Sequence, residues 1–329
     1  MGAGSWGTTF AQVLCDAGTP TTVWCRRQQL ADAINGTREN PDYLPGIPLT
    51  PALTATADPA QALAGAELVV LAVPAQTLRA NLASWSGLLP AGALVVSLMK
   101  GIELGSCLRM SEVIAQVTGM ASDRIAVVSG PNLAWEIARR QPAATVAACT
   151  DEGAAGQLQK ACHTGYFRPY TSPDVVGCEL GGAVKNVVAL AVGIAVGMGL
   201  GDNTRAMLMT RGLAETSRLG AALGADQHTF AGLAGLGDLV ASCSSPLARN
   251  RTFGERLGRG TRLDEVIAST TQTAEGVKSS QSVLELARRH GVEMPITEVI
   301  AAVLQDGLEV GQAALLLASR SAKPERYGV

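Results

Sequence analysis

One lysine lies alone in a long apolar stretch of the chain. Between Glu179 and Asp202 the only formal charge is that of Lys185, and the amide of Asn186 follows it. A helix would put Lys185 on one stripe with small residues that let another element approach closely, namely Gly181, Gly182, Ala189 and Val192. Burying an ammonium is costly unless an anion meets it, and burial lowers the pKa of a lysine toward neutrality. The stretch therefore predicts a lysine that exchanges protons with a bound substrate; the ordinary alternative is a helix-end lysine that reaches water.

Two further polar groups lie in the same half of the chain. Asp238 follows the glycines of Gly235-Leu236-Gly237, and its carboxylate could hold a lysine in position and adjust its pKa. Arg249 and Asn250 combine a planar guanidinium with an amide, a pair suited to bidentate phosphate binding. The plainer interpretations are a helix N-cap for Asp238 and a surface salt bridge for Arg249.

The first residues carry a glycine pattern that is typical of dinucleotide binding. Gly2, Gly4 and Gly7 form Gly-x-Gly-x-x-Gly, and residues 8–16 are the helix that we expect the pattern to open. Such glycines allow a tight turn and a close approach of the backbone to a pyrophosphate at the helix N-terminus. The pattern normally follows a strand, whereas here it starts at residue 2. We therefore expect either that the natural start lies upstream or that another segment fills the centre of the sheet.

Two arginines end the next predicted strand. Residues 21–25 are a β-branched run after a Gly-Thr-Pro turn, and Arg26 and Arg27 come directly after it. An NAD-specific site would place an acidic residue here for the ribose hydroxyl, whereas paired arginines suit a 2′-phosphate. The pattern predicts NADPH rather than NADH as the favoured cofactor, with two solvated arginines as the alternative. Far along the chain, Glu275 lies in a turn from which we expect its carboxylate to contact the nicotinamide end.

Strands and helices alternate through the first half of the chain. The predicted strands are 68–73, 93–97, 125–129 and 143–147, and the predicted helices are 76–85, 107–117 and 133–139. This alternation is typical of a doubly wound parallel sheet, which binds ligands at the carboxyl ends of its strands. Three turns fall at such ends: Val73-Pro74-Ala75, Lys100-Gly101 and Gly130-Pro131-Asn132. They place the Lys100 ammonium at the predicted crevice, although an ordinary turn is the alternative at each position.

Beyond residue 173 a helical period replaces the strand pattern. The predicted helices are 179–198, 204–222, 228–241, 263–268, 278–290, 295–304 and 309–318. We therefore predict an α/β fold class, with a Rossmann-like, doubly wound parallel sheet whose first strand is truncated, followed by an all-helical domain. The predicted domains are 1–172 for dinucleotide binding and 173–329 for substrate binding and catalysis.

Composition narrows the class of protein. Hydrophobic residues make up 47% of the 329 residues and charged residues 16%, so a sizeable core is available. A net charge of −2 gives no reason to expect a nucleic-acid partner, and the apolar run 187–200 is too short to span a bilayer. No signal segment opens the chain, and seven scattered cysteines without Cys-x-x-Cys suit a reducing cytoplasm. Three histidines without metal-ligand spacing argue against a metal site.

Nine segments of the chain resemble, in order and spacing, NAD(P)-dependent glycerol-3-phosphate dehydrogenase of the bacterial type. They are GAGSWGT, SLMKGIE, SGPNLAWEIA, GGAVKNVVALAVGI, GLGDNTRAMLMTRGLAE, GLAGLGDLVASC, ARNRTFG, AEGVKS and GVEMPITE. Nine ordered segments are far more specific than one glycine pattern, and they cover nearly the whole chain. The resemblance implies reversible reduction of dihydroxyacetone phosphate to sn-glycerol 3-phosphate, the entry to phospholipid backbones.

The resemblance also implies roles for individual residues. The catalytic residues would be Lys185, which exchanges the proton at the substrate oxygen, together with Lys100 and Asp238. The substrate would be bound by Lys100, Asn132, Lys185, Asn186, Asp238, Ser242, Arg249 and Asn250, with Arg249 on the phosphate. The cofactor would be bound by Gly2, Gly4, Ser5, Trp6, Gly7, Arg26, Arg27, Lys100, Gly130, Ala134, Arg249, Thr273 and Glu275. Three residues depart from the family pattern: Met99, Asn132 and Ala248 replace residues that often carry a hydroxyl.

These roles combine into one expected mechanism. The reduced nicotinamide would supply hydride to the ketone carbon while the Lys185 ammonium donates a proton to the developing alkoxide. Lys100 and the Asn186 amide would stabilise that charge, and Arg249 would orient the carbonyl by binding the remote phosphate. The expected ligands are NADP(H), with NAD(H) as the alternative, and a small phosphate-bearing substrate; no metal, nucleic acid or membrane is expected. Weakly charged, glycine-rich helices favour a homodimer, in the cytoplasm.

Two other functions stay open at this point. A β-hydroxyacid or ketopantoate-type dehydrogenase shares the two-domain plan and the helix lysine, but the phosphate-binding pair Arg249 and Asn250 argues against it. A non-catalytic NADP-binding regulatory protein is compatible with a truncated first strand. The presence of Lys100, Lys185 and Asp238 opposes that second function.

Overall fold

The chain divides into two compact units. The computed structural model describes residues 1–269, 275–319 and 324. Met1–Met99 and Met110–Val175 form the first unit, and Lys100–Arg109 and Val176–Val329 form the second. The short segment Lys100–Arg109 therefore groups with the second unit, although the residues on both sides of it in the chain belong to the first.

The first unit is a Rossmann-like α/β domain, as predicted. Its strands are β1 (Thr21–Trp24), β2 (Leu53–Thr56), β3 (Leu68–Leu71), β4 (Leu94–Ser97), β5 (Ile125–Ser129), β6 (Ala143–Ala148) and β7 (Phe167–Ser172). Its helices are α1 (Ser5–Asp16), α2 (Gln28–Thr37), α3 (Pro59–Leu63), α4 (Leu78–Trp85), α5 (Met110–Thr118), α6 (Ala134–Ala138) and α7 (Glu152–Cys162). Aspartates start two helices that the sequence did not predict, since Asp58 and Asp151 accept hydrogen bonds from the first turns of α3 and α7.

The sheet is parallel except at one strand pair. β1 pairs with β2, and β3 to β5 pair in sequence order, all in parallel. β6 runs antiparallel to β5 and carries the parallel strand β7 on its other side. The expectation of an entirely parallel sheet is therefore wrong at β6, because the connection from β5 through α6 leads back along the sheet rather than crossing over it.

Met1 and Gly2 bridge the two parts of this sheet. The Gly2 N–H donates to the carbonyl of Trp24 in β1 (3.2 Å). On the opposite side, the Met1 nitrogen donates to the carbonyl of Val70 in β3 (2.6 Å), and the Ala72 N–H donates to the Met1 carbonyl (2.9 Å). These two residues therefore lie centrally between β1 and β3, and Gly2 begins the glycine turn that opens α1.

The second unit is helical in the part of it that the structure describes. Its helices are α8 (Val175–Gly197), α9 (Asp202–Ala222), α10 (Gln227–Ala231), α11 (Asp238–Ser244), α12 (Arg249–Gly258), α13 (Leu263–Ala268), α14 (Glu275–Arg289), α15 (Pro295–Gln305) and α16 (Val310–Ala318). The predicted helix 228–241 is interrupted, because a π-helical turn over Leu233–Gly237 separates α10 from α11. Helix α12 was not predicted, since its charges and glycines leave only Phe253 and Leu257 as large buried apolar residues.

Helix α8 is the central helix of this unit. It has 23 residues and begins well before the apolar run 187–200, so the whole helix is long enough to span a bilayer although that run alone is not. By length and composition α8 qualifies as a membrane span, but most of it is buried inside the protein, as in a core helix. Leu180, Val184 and Val187 are fully buried and belong to the main apolar cluster of the unit.

Glycines let α8 and α12 touch backbone to backbone. A Cβ atom at Gly193 would lie 2.0 Å from the carbonyl oxygen of Arg251, and one at Gly254 would lie 2.2 Å from that of Leu190. No larger side chain fits at such distances unless the helices separate. This contact fixes the position of the first turn of α12, which carries Arg249 and Asn250.

The N-terminus of α15 is capped from another helix. The buried Glu215 carboxylate on α9 accepts hydrogen bonds from the N–H groups of Ile296 (2.7 Å) and Thr297 (3.3 Å) and from the Thr297 hydroxyl (3.2 Å). Its burial outweighs these hydrogen bonds and the charge of Arg218, and raises the pKa of Glu215 to about 7.

Because of Glu215, stability is expected to fall as the pH rises from the ordinary pKa of glutamate, 4.5, to about 7. Across this interval the folded chain keeps a proton on Glu215 that the unfolded chain has lost, so each rise in pH favours unfolding. The expected contribution is about 3 kcal/mol in the free energy of unfolding. Urea unfolding at about pH 5 and about pH 8 measures it. The wild type should lose more stability than Glu215→Gln, which cannot titrate; equal losses would contradict the assignment.

Candidate active site

Lys185 extends from α8 toward a carboxylate. Its ammonium donates to Oδ1 of Asp238 (3.0 Å) and to the hydroxyl of Ser242 (2.6 Å). Both partners lie on α11, which follows the π-helical turn, and one turn of helix separates them. The Lys185 side chain is 12% exposed, so its ammonium is held by two groups and still has limited access to solvent.

Lys100 joins the same carboxylate from the other side. Its ammonium donates to Oδ2 of Asp238 (2.6 Å), and the Asp238 side chain is only 2% exposed. One buried carboxylate therefore binds two ammonium groups, each through its own oxygen, and the three side chains carry a net positive charge. Such a cluster is suited to an anionic substrate or to an oxygen that becomes negative during a reaction.

The environment of Lys100 makes it a candidate for proton exchange. The pKa of Lys100 is lowered to about 8, because burial and the positive charge of Lys185 together outweigh the opposite effect of Asp238. Burial is the largest of these effects. Near neutral pH most of the Lys100 population is thus an ammonium, but the neutral amine is accessible at moderately alkaline pH.

A chain of amides connects Lys100 with α12. The Asn186 amide donates to the backbone carbonyl of Lys100 (3.4 Å) and to that of Gly182 (3.3 Å). The Asn250 amide donates to the Asn186 side-chain oxygen (2.9 Å), and the Gly276 N–H donates to that of Asn250 (3.0 Å). These bonds fix both asparagines, so the predicted residues Lys100, Lys185, Asn186, Asp238, Ser242 and Asn250 lie together in the second unit.

Arg249 lies at the beginning of α12, directly before Asn250. It is exposed, and Ala248, the N-cap residue, provides no side-chain cap for the helix. Ala248 has no side-chain oxygen that could accept from the first N–H groups of α12. A guanidinium beside the positive end of a helix dipole is suited to a phosphate.

The glycine pattern forms a tight turn at the N-terminus of α1. Gly4 is the N-cap residue of this helix and offers no side chain to the first N–H groups. A Cβ atom at Gly7 would lie 2.0 Å from the carbonyl oxygen of Gly2, so only glycine fits there. Ser5 donates its hydroxyl to the Tyr43 carbonyl (3.0 Å), and the indole N–H of Trp6 is buried without a partner among the described residues.

These observations fit a bound dinucleotide. The turn leaves backbone N–H groups for a pyrophosphate, and the buried Trp6 N–H lacks an acceptor that a ligand could provide. Arg26 and Arg27 are exposed and follow β1 after one intervening residue, where the adenosine ribose of such a ligand binds. Arg27 forms an ion pair with Asp42.

The remaining predicted residues of the first unit follow β5. Gly130 has a φ of +150°, and a Cβ atom there would lie 3.0 Å from the Cα of Thr145. The Asn132 amide donates to the Thr145 hydroxyl (3.0 Å), and its buried side-chain oxygen has no partner among the described residues. Ala134 is the first residue of α6, and its carbonyl accepts from the Thr9 hydroxyl (3.3 Å).

Two predicted cofactor contacts fall outside this description. Thr273 lies outside the described residues. Glu275 is the first residue of α14, and its side chain is likewise outside the described part of the chain. Both remain predictions from the sequence.

The sequence predicted no role for Asn40, whose side chain supports the glycine turn. Its buried amide donates to the carbonyl of Ala3 (2.9 Å) and to the hydroxyl of Thr8 (2.8 Å), and its side-chain oxygen accepts from the Tyr43 N–H (3.2 Å). The Asn-Pro dipeptide at 40–41 predicts a turn but gives no sign of what the amide contacts. That contact depends on the tertiary fold.

Known proteins match both units of this chain. Residues 1–155 match the NAD-dependent glycerol-3-phosphate dehydrogenase N-terminus, and residues 174–314 match the NAD-dependent glycerol-3-phosphate dehydrogenase C-terminus. The glycerol-3-phosphate dehydrogenase [NAD(P)+] of Thermobifida fusca is 68% identical over 100% of this chain and 98% of its own length. The Mycobacterium tuberculosis glycerol-3-phosphate dehydrogenase [NAD(P)+] 2 is 59% identical over 99% of this chain and 97% of its own.

A solved structure agrees with the fold. The crystal structure of glycerol-3-phosphate dehydrogenase from Coxiella burnetii has a TM-score of 0.92 to this chain, with 37% identity and 97% of each chain covered. The match extends over both units, and it agrees with the two family matches and with the high identity to the named relatives. This chain therefore belongs to the NAD(P)-dependent glycerol-3-phosphate dehydrogenase family.

Proposed function

We propose that this chain reversibly reduces dihydroxyacetone phosphate to sn-glycerol 3-phosphate, with NADPH favoured over NADH. The observation that carries the proposal is the buried Asp238 carboxylate with Lys100 on one oxygen and Lys185 on the other. Family membership supports the reaction, and the exposed pair Arg26 and Arg27 supports the choice of cofactor. The product is the backbone of glycerophospholipids.

In this proposal the side chains act on the oxygen of the ketone. A reduced nicotinamide cofactor, held by the glycine turn and by Arg26 and Arg27, would supply the hydride for the carbonyl carbon. The Lys185 ammonium donates a proton to the carbonyl oxygen, and Asp238 and Ser242 hold that ammonium in position. The Lys100 ammonium stabilises the negative charge that develops on the same oxygen. Asn186 holds the backbone at Lys100 and so keeps the second ammonium in place.

The two halves of the chain divide this work. Residues 1–172 bind the cofactor, and residues 173–329 bind the substrate and carry out catalysis, with Lys100 as the contribution of the first half. The chain acts in the cytoplasm as a homodimer whose subunits pair through the weakly charged, glycine-rich helices. Sedimentation of the full chain would test the dimer, because a monomer at every concentration would exclude it.

The identity of the product tests the proposed reaction. The full chain is incubated with dihydroxyacetone phosphate and NADPH, and phosphorus NMR identifies the product. We expect sn-glycerol 3-phosphate to form in a one-to-one ratio with oxidised cofactor. Dihydroxyacetone without the phosphate serves as the matched substrate and should react poorly. Tight NADPH binding without turnover of any ketone would instead favour a regulatory protein.

Arg249→Ala is expected to weaken substrate binding more than turnover. The guanidinium forms charged hydrogen bonds to the phosphate, and their loss should raise the KM for dihydroxyacetone phosphate about 10- to 100-fold. Because the phosphate is remote from the carbonyl, kcat should change less. Initial rates over a range of substrate concentrations separate the two constants. Arg262→Ala, which removes an exposed arginine of the same unit, is the control; an unchanged KM in Arg249→Ala would refute the phosphate contact.

A further inference from the structure

The segment Lys100–Arg109 folds back on itself beside the helices of the second unit. Ile102 and Arg109 form an antiparallel bridge, and the Glu103 N–H donates to the Leu108 carbonyl (2.9 Å). Ile102 is fully buried in the apolar cluster that contains α8. The backbone of Arg109 is therefore fixed against Ile102, which lies two residues after Lys100 in the chain.

The Arg109 side chain ties this segment to α8. Its guanidinium lies 2.7 Å from a carboxylate oxygen of Glu179, and the two side chains are 15% and 2% exposed. Glu179 is six positions before Lys185 on the same helix, about 9 Å along its axis. A buried ion pair is weak evidence for stability, but it can specify one arrangement of the elements that it joins.

A second anchor holds the tip of the segment. Arg289 on α14 donates to the backbone carbonyls of Gly105 (2.9 Å) and Ser106 (3.0 Å). Cys107, with a φ of +60°, is in the left-handed region that non-glycine residues rarely adopt. The tip therefore keeps an uncommon backbone shape against α14, while Arg109 determines its position on α8.

We propose that the Arg109–Glu179 ion pair is a positioning element for Lys100. It fixes the segment that carries Lys100 onto the helix that carries Lys185, so that both ammonium groups reach the same Asp238 carboxylate. Arg109 and Glu179 act through Lys100, and their role rests on the proposed function. No contact of either residue with the substrate is required.

Loosening the pair has a predictable effect on Lys100. The charged groups that act on its ammonium are Asp238 from α11 and Lys185 from α8. If the segment separates from α8, Lys100 gains access to water, and its pKa rises from about 8 toward the ordinary value. Reduction needs the Lys100 ammonium, so the alkaline decline in kcat should move to higher pH.

The test compares Glu179→Gln with the wild type and with Arg109→Lys. Glutamine keeps the size of Glu179 and removes its charge, so kcat for dihydroxyacetone phosphate should fall about tenfold with the NADPH KM unchanged. The alkaline decline in kcat should move to higher pH by about one unit. Arg109→Lys, which keeps the charge, should retain most of the wild-type kcat, and its alkaline decline in kcat should stay at the wild-type pH. Glu215→Gln is the matched control, because it removes another buried carboxylate of the same unit and should leave the alkaline decline in place.

A direct measurement keeps this inference separate from the proposed reaction. Amine labelling of the full chain as a function of pH, read by mass spectrometry, reports the pKa and accessibility of Lys100 without turnover. The positioning role is supported if the pH dependence of Lys100 labelling changes in Glu179→Gln but not in Glu215→Gln. Identical labelling in the wild type and Glu179→Gln overturns it, as does a Glu179→Gln enzyme with the wild-type kcat and alkaline decline. An inactive wild type would refute the proposed function while the labelling still decides the role of Glu179.

Discussion

Lys185→Met is expected to lower kcat for the reduction of dihydroxyacetone phosphate about 10²- to 10⁴-fold, the usual range for removal of a general acid. Methionine fills the same space on α8 but has no proton to donate, and Ser242 and one oxygen of Asp238 lose the ammonium that both contact. Binding of NADPH should be unchanged, because the residues proposed to hold the cofactor's phosphates belong to the first unit. Turnover assays and fluorescence titration of NADPH measure the two properties.

Lys160→Met is the matched control for this substitution. Lys160 is an exposed lysine on α7 and has no role in the proposed chemistry. Its replacement should leave both kcat and NADPH binding at wild-type values. If Lys185→Met retained more than about a tenth of wild-type kcat, Lys185 would not be the proton donor, and Lys100 would be the next candidate.

Asp238→Asn is expected to lower kcat about 10²- to 10³-fold and to move its alkaline decline to lower pH. The substitution removes the negative charge that both ammonium groups share and leaves them facing an uncharged amide. Asp238 raises the pKa of Lys100, so without its charge the pKa should fall below about 8. Less of the Lys100 ammonium is then present at neutral pH. Rates measured across the pH range give both the fall in kcat and the pH of its alkaline decline. Asp264→Asn, at an exposed ion pair, is the control.

The direction of this pH shift distinguishes two kinds of change at Lys100. Removing the Asp238 charge should move the alkaline decline in kcat to lower pH, whereas loosening the Arg109–Glu179 pair should move it to higher pH. A downward shift in both variants would mean that Glu179 acts on Lys100 by its charge rather than by position. If kcat of Asp238→Asn declined at the same alkaline pH as that of the wild type, the decline would not reflect the protonation state of Lys100.

Local patterns in the sequence predict much of the fold. The short apolar runs at β3, β4, β5 and β6 are bounded by turn signals, and the long apolar run of α8 and the apolar period of α15 indicate helices. Helix α12 lacks such a period, because Gly254 and Gly258 replace the large apolar residues that a buried face normally carries. Those glycines are explained only by the α8 backbone that lies against them. Partner strands are also invisible to local patterns, so the antiparallel pairing of β6 could not be predicted.

The site shows the same division between local and tertiary information. An isolated lysine in an apolar helix calls for an anion, and a carboxylate after glycines is a candidate for it, so the chemistry of Lys185 and Asp238 can be inferred from residue types. Their distance cannot, because 53 residues separate them in the chain. The supporting contacts of Asn40 and of Arg109 with Glu179 carry no sequence signal, since charged and amide residues at such positions are ordinarily solvated.

The most direct test of the account follows the absorbance of reduced nicotinamide as dihydroxyacetone phosphate is added to the full chain, with Lys185→Met measured in parallel. The wild type is expected to oxidise NADPH at a rate that saturates with dihydroxyacetone phosphate, ketopantoate to be a poor substrate, and the variant to be close to inactive. A wild type that oxidises NADPH with ketopantoate but not with dihydroxyacetone phosphate would contradict it.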